Sequence, residues 1–387
     1  MLSSITSKNV GENNSIIIMN YVLKNSPITR KQLVNETEFS TGTISNHVNN
    51  LIDKGFIEET EKGYSSGGRK PIYIEVVPDR AFMVSINIEV NQTNIYIYNL
   101  CYERIAEKSF DIVKGKPRVT LQKIKHELEE IIKGRVIEDN ISGIGISVPG
   151  LVEKEKGSCV LAPNLKWNSV NLRKFFNNEL SYHPVYIENE AKAAALAEKK
   201  FEYPGVDSMV YISANEGIGC GIVVGGDLIR GESGNAGEFG HIKVSDEGYP
   251  CHCGNRGCWE AEASERFLLK RYRELSSGGN ITLPEFYNQF YEKEKYAVDV
   301  MDEAAYSLGK GVANIINSLN PELIVIGGGI TRASEEIYDK VDEVIEDLAL
   351  DLLYKNTEMK FSKLKKEAAN LGMAWQLKEY GLMRELT

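Results

Sequence analysis

Around Ala81 the sequence changes its period, and that change decides what the chain can become. Before it, apolar residues recur at helical spacing. After it, short alternating runs rich in β-branched and aromatic side chains are separated by longer helical stretches. Residues 82–88 and 93–98 read as a hairpin, 119–133 as an amphipathic helix, and 141–148 as a glycine-containing strand ending at Pro149-Gly150. Further strands are expected at 185–188, 208–213, 219–224 and 323–326, with helices at 190–200, 260–276, 301–319 and 332–353. Strands alternating with helices imply an α/β fold with ligand crevices at strand ends. Residues 71–80, bracketed by Pro71 and Pro78, read as a linker, dividing a domain over 1–75 from a larger one over 76–387. No internal repeat of fixed period and no low-complexity tract is visible.

Composition excludes several classes. At 387 residues, 42% hydrophobic and 26% charged, the chain reads as an ordinary soluble protein of two or three domains. The apolar run 16–19 near the start is far short of the ~18 residues that a membrane helix needs. The polar N-terminus lacks a basic-then-apolar export signal, and six cysteines make no disulfide scaffold, so a cytoplasmic setting without membrane partners is expected. The net charge of −10 argues against a wholesale polyanion binder. Residues 1–75, however, hold eight basic and eight acidic side chains, so the whole acidic excess lies after them. Such asymmetry suggests two different jobs.

Three helical patterns fit into the first 55 residues. Thr29 with Gln32 forms a capping-box signal, and Ser40 caps a helix whose Ile44, Val48, Leu51 and Ile52 make one apolar stripe. The rest of that helix carries Thr41, Thr43, Ser45, Asn46, His47, Asn49 and Asn50. Short donors and acceptors of this kind can reach base edges and phosphates in a DNA groove, whereas a merely solvated helix favours Glu and Lys. Two strand-like stretches joined by a glycine-rich tip follow. The whole resembles a winged helix-turn-helix, with Arg69 and Lys70 on the wing. The candidate DNA contacts are Arg30, Thr41, Thr43, Ser45, Asn46, Asn49, Arg69 and Lys70. The bland alternative is a helical docking domain with a solvated polar stripe, and His47 alone carries little information.

The sharpest chemical signal lies in the second region. His241 precedes Cys251-His252-Cys253-Gly254-Asn255-Arg256-Gly257-Cys258. Three thiols within eight positions, with glycines bending the chain between them, can converge on one ion, and His241 supplies a fourth ligand. A tetrahedral Cys₃His set is a structural zinc arrangement with no position left for water. His252, flanked so closely by Cys251 and Cys253, is expected to point away. The alternative is free thiols in a glycine turn. Cys101, Cys159 and Cys220 lie in apolar contexts and are expected in the core.

Gly234-Asn235-Ala236-Gly237-Glu238-Phe239-Gly240-His241 followed by Cys-x-Cys-Gly-x-x-Gly-Cys-x-Glu is similar to the signature of the ROK family of bacterial sugar kinases and sugar-responsive repressors. Residues 143–150, 162–167, 188–191, 217–221 and 320–329 extend the resemblance over nearly the whole chain. It implies a two-lobed actin-like ATPase (ribonuclease H-like) α/β fold with sugar in the cleft, and an N-terminal winged helix marks the repressor branch. By resemblance the sugar contacts would be Asn164, Asn189, Glu190, Glu238, His241 and Glu260. A pyranose presents hydroxyls that both donate and accept, so paired carboxylates and amides suit it. The metal ligands would be His241, Cys251, Cys253 and Cys258.

The kinase chemistry reads as lost. Where the family's kinases carry an Asp-x-Gly-x-Thr-like turn, this chain has Asn87-Ile88-Glu89-Val90-Asn91, and Glu89 would repel a triphosphate. The catalytic Asp of the family is Glu190 here, one methylene longer, and the second phosphate loop reads Asn215-Glu216-Gly217. The expectation is therefore a homodimeric or larger repressor of a carbohydrate operon, not an enzyme, with D-xylose as effector. Competing readings are an active sugar kinase fused to a DNA-binding domain, and an assembly module in which zinc site and cleft are relics.

Overall fold

The computed structural model describes residues 7–60, 71–133, 140–180, 184–276 and 279–386. Its first part is α1 (Ser7–Asn25), β1 (Ile28–Thr29), α2 (Arg30–Thr37), α3 (Thr41–Asp53), β2 (Ile57–Thr60) and β3 (Tyr73–Val76). The capping signals act as expected. The Thr29 side chain accepts from the Gln32 amide while the Gln32 side chain accepts from that of Thr29, and Ser40 accepts from Thr43 N–H. Ile44, Val48 and Leu51 are fully buried.

The expected linker is not free chain. β3 is the central strand of a three-stranded sheet in the order β1-β3-β2, with Ile74 and Val76 in the core. It runs across the expected boundary at residue 75. Beyond it a short turn, Pro78–Arg80, is pinned by Arg80, which donates to Lys54 O at 2.7 Å and lies over the Phe56 ring. A linker needs slack, and the alternating burial of β3 removes it.

The larger part opens with β4 (Phe82–Ile88), β5 (Gln92–Asn99) and β6 (Arg104–Asp111), a meander whose first two strands form the expected hairpin. There follow α4 (Pro117–Ile132), β7 (Ile141–Val148), a small sheet of β8 (Leu151–Glu153), β9 (Ser158–Ala162) and β10 (Trp167–Asn171), then α5 (Leu172–Glu179) and β11 (Val185–Asn189). Sheet order is β11-β7-β4-β5-β6, with β7 parallel to both β4 and β11. After α6 (Glu190–Ala197) a second sheet begins with β12 (Met209–Ala214), β13 (Ile218–Val224) and β14 (Asp227–Ile229). Then come α7 (Trp259–Ala263), α8 (Glu265–Ser276), α9 (Leu283–Tyr291) and α10 (Lys295–Leu319). The chain finishes with β15 (Leu323–Gly327), α11 (Ser334–Leu348), α12 (Asp351–Asn356), β16 (Glu358–Phe361) and α13 (Ala368–Leu386).

The second sheet runs β14-β13-β12-β15-β16. In both sheets the first three strands form an antiparallel meander, and the fourth and fifth add in parallel on the other side of the first. The fold is thus a duplication in hydrogen-bonding order, the two-lobed actin-like architecture, although no sequence repeat announces it. Each lobe has its own core: Ile86, Ile95, Ile146 and Phe176 in the first; Ile212, Trp259, Phe286 and Ile326 in the second.

Three helices differ from expectation. The stretch 260–276 breaks at buried, extended Ser264, whose hydroxyl caps the Phe267 amide at 3.4 Å. The stretch 332–353 divides into α11 and α12, and α10 starts six residues early, capped by Glu294. Cys159 and Cys220 are buried as expected, but Cys101 sits exposed in the turn after β5. The N-terminal part packs directly on the larger one. Ile18, Met19 and Val22 of α1 share a core with Tyr96, Tyr98, Ala374 and Leu377. Ile74→Ala should therefore lower stability by about 2–5 kcal/mol, read as an earlier urea midpoint. An unchanged midpoint would restore the linker reading.

Candidate functional site

A continuous cleft of about 790 Å³ separates the lobes, within the size range of small-molecule sites. One half is built from helix starts and tight turns. Asn189 ends β11 and caps α6, accepting from Lys192 N–H, while its amide donates to Gly150 O at 2.9 Å. Glu190, the next residue, is half-buried and accepts from Ser213 Oγ at 3.1 Å. Burial, reinforced by the nearby charge of Glu89, pushes its carboxyl up to about 7. Asn164 comes from the turn Pro163–Leu165, Glu238 and His241 from around the turn Phe239–His241, and Glu260 from α7. His241 Nε2 lies 3.9 Å from Glu238 and its Nδ1 lies 4.0 Å from Glu260. Burial also raises the Glu238 carboxyl. All six expected sugar contacts line one wall system.

Behind this wall the His241, Cys251, Cys253 and Cys258 ligand atoms all lie within 4.8 Å of one another. Cys251 Sγ is 3.6 Å from His241 Nδ1 and Cys253 Sγ is 3.6 Å from Cys258 Sγ. Those spacings approach the ~3.8 Å edge of a tetrahedron of thiolates around zinc, so the donor set fits a metal. His252 does not join it. Its ring turns into the cleft, 2.7 Å from Asn164 Oδ1.

The other half of the cleft holds carboxylates that the protein itself has tied down. Glu89 accepts from the side-chain amides of Asn87, Gln92 and Asn94 at 2.9–3.0 Å, and burial raises its pKa. Asn91 donates to Glu216 Oε1 at 2.6 Å, joining the β4–β5 turn of one lobe to the β12–β13 turn of the other. Glu265, at the start of α8, fills the space that a Cβ on Gly329 would need, and accepts from the Tyr287 hydroxyl at 3.2 Å. Its pKa too is pushed by burial up to about 7. Gly329 N–H donates to Asn215 Oδ1 at 2.7 Å.

On α3, Thr41, Asn46 and Asn49 are exposed and Thr43 and Ser45 half-buried. Arg30 spans from α2 to this face, donating to Glu59 and Asn49 at 2.8 Å and to Ser45 O at 3.3 Å. It thus braces α3 against β2. His47 is not a free surface histidine: its Nδ1 lies 2.8 Å from Ser15 Oγ of α1. Arg69 and Lys70 lie outside the described residues.

A family model for the ROK family matches residues 83–380. The chain belongs to the ROK family. A model for winged helix-turn-helix DNA-binding domains matches residues 13–58. A relative named xylose repressor, from Caldicellulosiruptor bescii, is 34% identical over 374 residues, covering 93% of this chain and 94% of that protein. Among solved structures, a ROK family transcriptional regulator, homologue of the Escherichia coli MLC protein, superposes with a TM-score of 0.83 at 27% identity, covering 97% and 98% of the two chains. A ROK family glucokinase from Streptomyces griseus, solved with glucose and AMPPNP, shares the fold at 23% identity and TM-score 0.70, covering 77% of this chain and all of that one.

Sequence reasoning missed two cleft residues of this ROK chain and one neighbour of the cleft. Asn91 and Glu265 gave no signal, because the first sat in a turn read only for lost glycines and the second inside one apparent helix. Arg266, which reaches Asn164 and Glu260, lay in the same stretch. Among the described residues no helix is long and apolar enough to cross a membrane.

The raised Glu190 carboxyl gives a pH signature. Its favourable contribution is complete below the ordinary carboxylate range and is lost as pH rises through about 7. Each unit of displacement carries about 1.4 kcal/mol. The urea stability of Glu190→Gln should match wild type near pH 4 and exceed it above pH 7. Parallel curves at all pH values would contradict this.

Proposed function

We propose that this protein is a cytoplasmic, sugar-responsive transcriptional repressor that no longer phosphorylates its ligand. The observation that carries the reading is the pairing of a furnished sugar half with a nucleotide half closed by Glu89, Glu216 and Glu265. Phosphoryl transfer needs cationic or glycine-rich surroundings for three phosphates. Here three carboxylates line that half beside Arg332 and the Gly328-Gly329 turn, and one of them bonds across the cleft.

In this reading residues 1–75 bind operator DNA and residues 76–387 bind a monosaccharide. Thr41, Thr43, Ser45, Asn46 and Asn49 of α3 meet the major groove, Arg69 and Lys70 of the wing meet the backbone or minor groove, and Arg30 keeps α3 presented. A homodimer sets two such helices on a palindrome, with half-site spacing fixed by its geometry. Zinc, held by His241, Cys251, Cys253 and Cys258, locks the loop that carries the sugar-facing His241 and Glu260. The sugar is D-xylose, as the name of the Caldicellulosiruptor relative suggests. Asn164, Glu190, Glu238, His241 and Glu260 grip its hydroxyls, with the remaining amide proton of Asn189.

Release follows only if sugar prefers one lobe arrangement over the other. The route is short. Glu190 heads α6, and α13 lies so close along α6 that a Cβ on Gly372 would strike Ala193 O. The same α13 shares a core with α1. Lobe closure at the sugar thus moves the support of the winged helix.

Titration of the whole protein with D-xylose, followed by fluorescence anisotropy on a duplex from upstream of its own gene, tests this. Saturable binding and sugar-induced loss of anisotropy are expected. Glu238→Ala should abolish the sugar response and keep operator affinity. Loss of both together would overturn the division of labour.

A further inference from the structure

Glu238 stands on a loop that belongs to one lobe and is clasped by the other. The loop leaves β14 at Arg230, and a Cβ on Gly237 would lie 2.6 Å from Cys220 O, so its end is pressed on β13 of the second sheet. Its middle is held from the first lobe and from α6. Val152 N–H donates to Asn235 Oδ1 at 3.0 Å, and Arg230 Nη2 donates to Glu188 Oε2 at 2.8 Å. Lys192 of α6 donates to Gly234 O at 2.5 Å. Glu188 itself is buried near the end of β11, one residue before Asn189. A shift of the Glu238 loop against the first lobe must be absorbed at these contacts.

A guanidinium pairs best with a carboxylate through two parallel N–H bonds. Here Nη2 makes the contact, and among the described residues the buried Nε of Arg230 has no hydrogen-bond partner. A second cation sits beside the same oxygen: Lys154 Nζ lies 3.7 Å from Glu188 Oε2. The backbone of Lys154 is fixed to the first lobe, because Arg173 of α5 donates to Lys154 O at 2.9 Å and to Val185 O at 3.0 Å. Its ammonium is not fixed, and its other neighbours are on α13. Gln376 Oε1 lies at 3.5 Å, and the Tyr380 ring centroid at 5.6 Å. Gln376 is buried between Ala374 and Leu377, the α13 residues that share a core with Ile18, Met19 and Val22 of α1.

A buried carboxylate left without a cation is costly. When Arg230 withdraws with the second lobe, Lys154 moves onto Glu188 and away from Gln376 and Tyr380. When Arg230 closes in, Lys154 is released toward α13. We propose that Lys154 is a positioning residue for the sugar response: it shares its charge between Glu188 and α13, and so ties the position of the Glu238 loop to the helix that supports α1. This rests on the repressor reading above and names the polar contact through which its signal passes.

The test reads the coupling of the two ligands on the full chain. Operator Kd is measured by fluorescence anisotropy without and with saturating D-xylose, on the duplex from upstream of the protein's own gene. In wild type the ratio of the two should be about 5- to 150-fold. Lys154→Met should bring the ratio to within about twofold of one, while the calorimetric D-xylose Kd and the sugar-free operator Kd each stay within about threefold of wild type. Lys154→Arg, which keeps the charge, should restore part of the ratio and guards against a folding artefact. Gln376→Leu removes the same contact from the α13 side and should also lower the ratio, and the double variant should be no worse than Lys154→Met alone. A Lys154→Met protein with the wild-type ratio, or one that loses D-xylose binding together with the ratio, overturns the proposal and leaves the repressor reading standing. A wild type whose operator affinity is the same with and without D-xylose overturns the repressor reading, and the proposal with it.

Discussion

One hydrogen bond joins two turns that the duplicated topology makes equivalent. Asn91 follows the first strand of the first sheet, Glu216 follows the first strand of the second, and their side chains meet at 2.6 Å across the cleft. In a fold of this kind such turns are natural cradles for phosphate, because backbone amides converge there. Here side chains take that place. Glu89 is wrapped by three amides instead of bare backbone, and Glu265 occupies the approach to the Gly328-Gly329 turn. The two lobes are thus tied by side chains of the chain itself at this end of the cleft.

Burial also governs the carboxylates Glu190 and Glu265 of the cleft. Unpaired, a buried charge is costly and neutralises instead. Glu190 and Glu265 both lie near neutrality in their titration, in keeping with burial away from cations at hydrogen-bond range. The opposite half of the cleft differs: Glu260 lies 3.5 Å from Arg266 Nη2, and beside the cleft Glu188 is paired with Arg230 at 2.8 Å. Groups held rigidly by neighbours can discriminate among ligands, whereas mobile ones adapt to all.

Local chemistry was legible in the sequence. The Thr29–Gln32 box, the Ser40 cap, the 82–98 hairpin and the His/Cys cluster each depend on residues close in the chain, and each formed as read. What escaped depends on distance. The duplication exists in hydrogen-bond order and not in side chains, so no period revealed it. The pairing of Arg30, a candidate DNA contact, with Glu59 was not legible because Glu59 lies 29 residues away. The stretch 71–80 looked slack because Pro71 and Pro78 bracket it, yet Ile74 pairs in the centre of a sheet. Ser264 ended a helix that periodicity alone would continue, and with it went Glu265 and Arg266.

Side chains in place of phosphates between the lobes should leave the cleft without nucleotide affinity. Calorimetry of the D-xylose-saturated protein with magnesium and a non-hydrolysable ATP analogue addresses it most directly. No saturable heat at millimolar nucleotide is the predicted result. A saturable isotherm, with release of ADP when ATP replaces the analogue, would contradict it.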